Sequence, residues 1–197
     1  MKHLHPLHKN LLRIMPGTRK NIVVVFVLGL IVIGLASCTN RADQEELKKF
    51  RDEKALIETY LTRFDSLDFD VFSNQKWDLL HVSHGDDIVV NWPDGHHTNG
   101  IARHIEDLKA MFVFAPDTKV ESHPIKFGSG EWTCVTGVMS GTFSKPMPIG
   151  NGKTIPPTGN KFKLPMATIA HWKDGRMTEE SLFWDNGEFM KQIGLAK

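Results

Sequence analysis

The chain has 197 residues, and its 24 lysine and arginine residues against 23 aspartate and glutamate residues give a formal net charge of +1. This balance excludes a strongly basic nucleic-acid-binding protein, and two cysteines are too few for a disulfide-stapled scaffold. The length is sufficient for one domain with a sizeable core.

Residues 1–37 have the pattern of a secretion signal. They contain five basic residues and no acidic one, and residues 22–35 form an unbroken apolar run, shorter than the roughly 20 residues that a membrane-spanning helix needs. The ending Leu35-Ala36-Ser37-Cys38 closely resembles a bacterial lipobox. This resemblance implies cleavage before Cys38 and acylation of Cys38 with chains such as palmitate. An uncleaved signal anchor is the alternative.

The rest of the chain is predicted to comprise a lipidated cysteine and tether at residues 38–45 and one domain at residues 46–197. Loss of the signal leaves 19 basic and 23 acidic residues, a net charge of −4, so no nucleic-acid partner is expected. Cys134 then has no intramolecular disulfide partner and is predicted to be a small core residue. The lipobox implies an extracytoplasmic protein, lipid-anchored to the bacterial cell membrane or outer membrane.

The first half of the predicted domain is mainly helical. Apolar residues recur at steps of three and four over residues 46–67, which predicts a long amphipathic helix. A short helix follows through Trp77, with His81 and His84 at its end, where a cation suits the helix dipole without any metal. Residues 87–92 are predicted to be a strand, and Asn99-Gly100 to precede a second long helix.

The second half is predicted to be mainly strands. Residues 119–127 and 131–143 form one predicted hairpin, and residues 162–172 and 176–185 form another around the turn Asp174-Gly175. Helices followed by long strands predict an α+β fold with helices on one side of an antiparallel sheet. The proline- and glycine-rich loop at residues 145–160 is predicted to be a mobile cover over a pocket.

The last hairpin predicts a cavity. A tight turn pairs Trp172 with Met177, so regular alternation places Glu179 and Asp185 on one face with an apolar wall that includes Met166. Unpaired carboxylates are costly in a core, and a cavity wall accommodates them better. The alternative is that both acids meet solvent or pair with basic residues.

Several motifs resemble one family. Trp92-Pro93-Asp94-Gly95, then Pro156-Pro157-Thr158-Gly159, then Asp185 followed seven residues later by Gln192 resemble the SnoaL-like polyketide cyclases, also called ester cyclases, of the NTF2-like superfamily. The resemblance extends over about residues 56–195. It implies a cone in which a curved antiparallel sheet wraps the N-terminal helices, with a pocket in its mouth.

The resemblance also implies a chemistry that needs no metal or cofactor. An aspartate takes a proton from carbon next to an ester carbonyl, and the enolate attacks a second carbonyl to close a ring. Asp185 matches that aspartate, and its apolar surroundings favour a raised pKa. His104, Asn91 and His97 are predicted to hold or polarise a carbonyl. The other predicted substrate contacts are Trp92, Met166, Glu179 and Phe183.

Other interpretations remain open. A metal site would gather Asp94, His96, His97 and His104, with His97 as the best ligand, but two adjacent histidines in a turn do not easily bind one ion. A non-enzymatic lipoprotein that binds a small hydrophobic ligand or a partner is the main alternative function. The resemblance further implies a possible homodimer.

Overall fold

The structure is a computed structural model that describes the backbone of residues 18–197 and the side chains of residues 41–197. The predicted signal at residues 1–37 and the predicted lipidation of Cys38 lie outside the described side chains and stay predictions. Within residues 41–197, no helix combines the length and the apolar character needed to cross a membrane. The chain divides into two compact units, Met1–Phe50 and Arg51–Lys197, and all the strands belong to the second.

Within residues 18–197, the chain forms five helical segments besides its strands. They are α1 (Thr18–Ser66), a π-helical segment (Leu67–Phe72), a 3₁₀ segment (Trp77–Val82), α2 (Ile101–Phe114) and α3 (Asn186–Gln192). The π-helical segment is notable because such irregular turns occur frequently at functional sites.

The main sheet of the described residues has seven strands: β1 (His84–Asn91), β2 (His97–Asn99), β3 (Lys119–Ser122), β4 (Lys126–Ser129), β5 (Trp132–Thr142), β8 (Lys161–Lys173) and β9 (Arg176–Trp184). Their order in the sheet is β2-β1-β9-β8-β5-β3, with β4 also paired to β5. The β1–β9 pair is parallel and the other pairs are antiparallel. The predicted α+β class, with a curved antiparallel sheet wrapped around helices, is confirmed.

The C-terminal part of α1 supplies the helical side of the core. Ile57, Tyr60 and Phe64 are buried at the steps that the periodicity predicts, and Tyr60 stacks on Trp172 with ring centroids 4.6 Å apart. Burying an aromatic side chain of this size stabilises a fold by about 1.5–3 kcal/mol. The sequence also predicts a packed face near Phe50, but its side chain is 65% exposed.

The long strand predicted over residues 119–127 is interrupted. β3 ends at Ser122 and β4 begins at Lys126, and His123 lies between them with only 2% of its side chain exposed. Pro124, which cannot donate to a ladder, follows it. The interruption directs His123 toward Asp65 and Asp68.

The prediction for the last hairpin is correct at the turn, but the predicted register of its strands is wrong beyond the turn. Asp174 and Gly175 both have positive φ, at 51° and 82°, and Lys173 faces Arg176 as predicted. One residue further, a β-bulge intervenes, because His171 pairs with Glu179 while Trp172 still pairs with Met177. One extra residue reverses the faces of all that follow. Glu180, not Glu179, therefore faces the core.

The segment at residues 145–160 contains a small hairpin of β6 (Met147–Pro148) and β7 (Thr154–Ile155). The side chains of Met147 and Ile155 pack on a core cluster that includes Phe112 and Phe143. The Thr158 hydroxyl donates to the carbonyl of Ile193 at 2.7 Å. The predicted mobility of this segment stays a prediction.

Candidate functional site

A cavity lies between the helices and the inner face of the sheet. Its empty space is about 530 Å³, part of it open to solvent. Eleven of the lining residues are apolar or aromatic: Leu67, Phe72, Leu80, Trp92, Leu108, Met111, Val120, Met139, Met166, Leu182 and Trp184. The polar ones are Asp68, His84, His104, Thr168 and Glu180.

Glu180 is the centre of the polar cluster on the sheet side. Its Oε2 lies 3.6 Å from Nε2 of His84 and 3.5 Å from Nε2 of His104. Both histidine side chains are at most 2% exposed, and that of Glu180 is 7% exposed. A carboxylate this deeply buried requires compensating partners, and two histidines are the groups the fold provides.

Three separate elements bring these residues together. His84 is the first residue of β1, Glu180 follows the bulge in β9, and His104 lies in the first turn of α2. Gly100, with φ of 84°, precedes that turn and donates its N–H to the carbonyl of Ile88 at 2.8 Å. A positive φ is accessible to glycine without strain, so Gly100 lets the chain leave β2 and begin α2 beside the cavity.

The charges of this cluster follow from its burial. Burial by itself raises the pKa of the Glu180 carboxyl, but the closeness of His84 and His104 outweighs it, so that pKa lies below its ordinary value. Burial lowers the pKa of His104 to about 4, although Glu180 opposes the shift. Near neutral pH, Glu180 is therefore ionised and His104 is a neutral imidazole.

The helical side of the cavity carries Asp68, on the π-helical segment. Its Oδ2 is 2.8 Å from Nε2 of His123, whose Nδ1 is 2.8 Å from Oδ1 of Asp65. Lys126 pairs with Asp65 and completes the chain of charges. Among residues 41–197, no hydrogen bond to Oδ1 of Asp68 is formed.

These contacts set the proton affinities of the Asp68 carboxyl and the His123 ring. Burial raises the pKa of the Asp68 carboxyl above its ordinary value, and the negative charge of Glu180 adds to this, while hydrogen bonding to His123 acts in the opposite sense. Burial lowers the pKa of His123, but its hydrogen bonds to Asp68 and Asp65 outweigh that effect and leave the pKa raised. A perturbed carboxyl group beside a cavity is a candidate for proton transfer, and Asp68 is such a group.

A wide depression adjoins the cavity and shares Trp92, Met166, Leu182 and Trp184 with it. The two indole rings contact each other edge to face, with centroids 6.2 Å apart. Trp92 Nε1 donates to the hydroxyl of Thr98 at 2.7 Å, which fixes that ring. We call this depression the entrance of the cavity, because the two tryptophans line both the depression and the cavity.

The structure separates the predicted site residues into two groups. Trp92, Met166 and His104 line the enclosed cavity. Asn91, Phe183 and Asp185 line the outer depression instead. Glu179 accepts a hydrogen bond from the Asn91 side chain at 3.1 Å on the outer face of the sheet, and His97 is exposed. The predicted shared face of Glu179 and Asp185 toward one cavity is wrong, because the bulge turns Glu179 outward.

Asp185 is exposed at the entrance and has a structural partner. It precedes α3, and its Oδ1 accepts the N–H of Glu188 at 2.9 Å. This is an N-cap, a role that aspartate side chains fill well. Its catalytic role remains a sequence-based prediction, and the observed contact is the one expected of a capping residue.

The metal interpretation named Asp94, His96, His97 and His104, and the structure does not bring these four together. Asp94 and His96 form an exposed pair with Oδ1 and Nδ1 2.5 Å apart, and His97 is exposed on β2. His104 alone is buried, beside His84 and Glu180. The interpretation of His84 as the end of a helix is also wrong, because it begins β1.

Sequence reasoning missed three of the cavity's polar residues: Asp68, His84 and Glu180. Asp68 lies in a stretch with many charged residues, which favours a solvated face. Glu179 and Glu180 are adjacent, so alternation alone shows that one of them faces inward. Only the position of the bulge determines which one, and no sequence signal marks it.

Comparison with known proteins agrees with this architecture. The model of the SnoaL-like polyketide cyclase family matches residues 62–193, two thirds of the chain. The chain belongs to the SnoaL-like polyketide cyclase family. None of the curated proteins compared with the chain matches it.

Solved structures of SnoaL-like and related proteins share the fold. A SnoaL-like protein from Jannaschia sp. CCS1 has a TM-score of 0.62 at 19% identity, covering 72% of this chain and 96% of that one. IdmH of Streptomyces antibioticus, assigned to the polyketide cyclases, has a TM-score of 0.58 at 21% identity, covering 68% and 98%. An epoxide hydrolase of M. tuberculosis has 0.53 at 14%, covering 70% and 90%. At these levels of sequence identity, the matches establish only that the fold is shared.

Proposed function

We propose that this SnoaL-like protein catalyses acid–base chemistry on a small carbonyl or ester substrate inside the cavity. The observation that carries the proposal is Asp68, a buried carboxyl group whose pKa is raised chiefly by burial and whose Oδ1 is left for a bound molecule. A general base works best when its pKa lies near the working pH. The reaction is a proton abstraction next to a carbonyl, followed by ring closure of the aldol type or a related lyase or isomerase step.

The positions of the polar residues support this assignment. Asp68 lies on the π-helical segment, whereas His84 and Glu180 come from the sheet and His104 from α2, at another part of the cavity wall. Between them the lining is apolar, which strengthens electrostatic interactions with a reacting group. A substrate between the walls would have its acidic carbon near Asp68 and its carbonyl oxygen near the histidines.

The size of the cavity limits the substrate. Its roughly 530 Å³ of empty space, which includes space open to solvent, suits a small molecule. Met111, Met139 and Met166 line the cavity, and methionine side chains adapt their shape easily. A larger acyl chain would extend past Trp92 and Trp184 into the outer depression.

Deuterium exchange tests the proposal without knowledge of the natural substrate. The protein is incubated in D₂O with a panel of small ketones and β-keto esters, and loss of the proton next to the carbonyl is followed by NMR. Asp68→Asn should lower the exchange rate by about 10²–10⁴-fold. Asp185→Asn is the matched control and should leave it unchanged. The reverse pattern would overturn Asp68 in favour of the sequence-predicted residue.

A binding function is the alternative, and the apolar lining of the cavity favours it. A carrier of a small hydrophobic molecule needs the same cavity but no proton transfer. Native mass spectrometry of protein purified from its own membrane distinguishes the two functions. A stoichiometric bound molecule, together with no exchange on any panel compound, would support the carrier and contradict catalysis.

We also propose that the protein is attached by lipid on Cys38 to the outer face of a bacterial membrane. The support is the sequence Leu35-Ala36-Ser37-Cys38 after an apolar run. Acylation of both the thiol and the amine would give lasting attachment, since a single chain binds only marginally. Cys38→Ser should release the protein from the membrane fraction; unchanged membrane attachment would contradict the proposal.

The predicted homodimer is likewise a proposal. The outer face of the sheet carries exposed apolar side chains, namely Trp132, Ile169 and Phe183. Pairing of two such faces would bury them.

A further inference from the structure

His84, His104 and Glu180 converge on one point at the wall of the cavity. One nitrogen from each histidine and one carboxylate oxygen all lie within 4.8 Å of one another. Both Nε2 atoms approach the same oxygen, Oε2 of Glu180, at 3.6 Å and 3.5 Å. These distances are too long for good hydrogen bonds, which end near 3.2 Å for N–H···O.

The separations suit a cation better than a hydrogen bond. Zinc binds histidine nitrogen and carboxylate oxygen at about 2.0–2.2 Å, so two ligands of a tetrahedral ion are about 3.4 Å apart. The two observed nitrogen-to-oxygen separations differ from this by roughly 0.2 Å or less. Small side-chain movements would therefore complete the coordination.

The hydrogen bonds around His84 also leave a place for a cation. The Ser83 hydroxyl donates to the carbonyl of Leu80 at 3.2 Å, and Nδ1 of His84 lies 2.9 Å from the same hydroxyl oxygen. With Nδ1 directed at Ser83, Nε2 is the nitrogen of His84 that faces the Glu180 carboxylate, and that buried Nε2 has no hydrogen-bond partner among the described residues.

We propose that His84, His104 and Glu180 bind a divalent first-row cation, with Zn²⁺ as the ion that this donor set fits best. Two histidines and one glutamate form a set that zinc enzymes use, with the fourth position left open. Here that position faces the apolar cavity. An ion bound there would polarise a substrate carbonyl oxygen. The inference does not depend on the role proposed for Asp68.

The partners of the two histidines differ. Ser83 orients His84, as the hydrogen-bonding partner of a ligand histidine commonly does. Nδ1 of His104 is buried with no hydrogen-bond partner within the described part of the chain. The orientation of the His84 ring is thus better fixed than that of the His104 ring.

Cobalt titration tests the site without a substrate. The full chain is purified in detergent without a histidine tag, stripped with a chelator and titrated with Co²⁺. We expect one equivalent to bind with the intense visible absorption of tetrahedral cobalt, and Zn²⁺ to abolish that absorption by displacement. Thermal melting should shift upward with Zn²⁺, because a ligand that binds only the folded state stabilises it.

Variants assign the ligands. Glu180→Gln keeps the shape and should weaken Co²⁺ binding by more than about 100-fold, whereas Ser83→Ala should weaken it by about 10–100-fold. Circular dichroism confirms that each variant is folded, and Ser83→Ala keeps the test decisive if Glu180→Gln fails to fold. The control removes two exposed histidines elsewhere, as His96→Ala with His97→Ala, and should bind Co²⁺ as the wild type does.

The proposal is overturned if cobalt gives only weak octahedral absorption, or if the signal is lost in the control and kept in Glu180→Gln. It is also overturned if Ser83→Ala binds Co²⁺ as tightly as the wild type. The result is separate from that for Asp68. Cobalt binding with an unchanged exchange rate in Asp68→Asn would reject the acid–base role alone, and the opposite pair of results would reject the metal site alone.

Discussion

The two sides of the cavity use the same residue types in opposite ratios. On the helical side, one histidine, His123, lies between two carboxylates, Asp65 and Asp68. On the sheet side, one carboxylate, Glu180, lies between two histidines, His84 and His104. His123 therefore contacts two carboxylates, whereas His84 and His104 share one.

His123 and His104 show the consequence. Burial lowers the pKa of both rings, but two hydrogen-bonded carboxylates outweigh it for His123 and leave that pKa raised. For His104, the single shared carboxylate does not outweigh burial, and the pKa falls to about 4. The same residue types thus shift the pKa values of these two histidines in opposite directions on the two sides of the cavity.

The largest expected effect on stability distinguishes Glu180 from its neighbour in sequence, Glu179. Glu180→Ala should lower the free energy of unfolding of the metal-free protein by about 3 kcal/mol, because removing one member of a buried charged cluster typically costs 3–5 kcal/mol and the histidines can remain neutral. Glu179→Ala is the matched control on the outer face and should change it by about 0.5 kcal/mol or less. Urea denaturation measures both. Equal effects would contradict the bulged register.

A smaller effect is expected from His123, with a pH dependence. His123→Gln should lower the free energy of unfolding by about 2 kcal/mol below neutral pH, the value of a hydrogen bond to a charged partner. A group whose pKa is raised in the folded state stabilises the fold fully below its unfolded pKa and loses that contribution as pH rises through the folded value. The difference between wild type and His123→Gln should therefore shrink as pH rises.

The groups that face His123 are Asp65 and Asp68, with Lys126 bound to Asp65. The pKa of Asp65 is lowered: burial raises it, but its hydrogen bonds to Lys126 and His123 outweigh burial, so Asp65 stays ionised over the range tested. His97→Gln, at an exposed position, is the control and should give a difference that is flat with pH. A difference that grows with pH for His123→Gln would contradict the raised pKa.

Sequence alone predicted the parts of the fold that short-range chemistry determines. Asp174-Gly175 predicted the turn because glycine and aspartate tolerate positive φ, and the periodicity around Tyr60 and Phe64 predicted the buried helix face. The family motifs added the cone and its pocket. His104, Trp92 and Met166 were placed at the cavity by these arguments.

The rest depends on irregular geometry that the sequence does not display. A single bulged residue decides that Glu180, not Glu179, reaches the cavity. The break at His123 between β3 and β4, and the π-helical segment that carries Asp68, are similar departures from regular periodicity. Each irregular element carries or faces one charged side chain at the cavity. Predictions based on regular helix and strand periodicity therefore failed to place these side chains.

The smallest expected effect on stability is at Asp185, which lies at the entrance and not in the interior of the cavity. Its side chain caps α3 through the N–H of Glu188, so Asp185→Ala should lower the free energy of unfolding by about 1 kcal/mol. Asparagine caps helices about as well as aspartate, and Asp185→Asn should therefore melt with the wild type. Thermal melting of the three proteins gives this order. If Asp185→Asn instead melts as low as Asp185→Ala, the carboxylate charge matters beyond the cap; a gain in stability would indicate a strained carboxylate of the kind that catalytic sites contain.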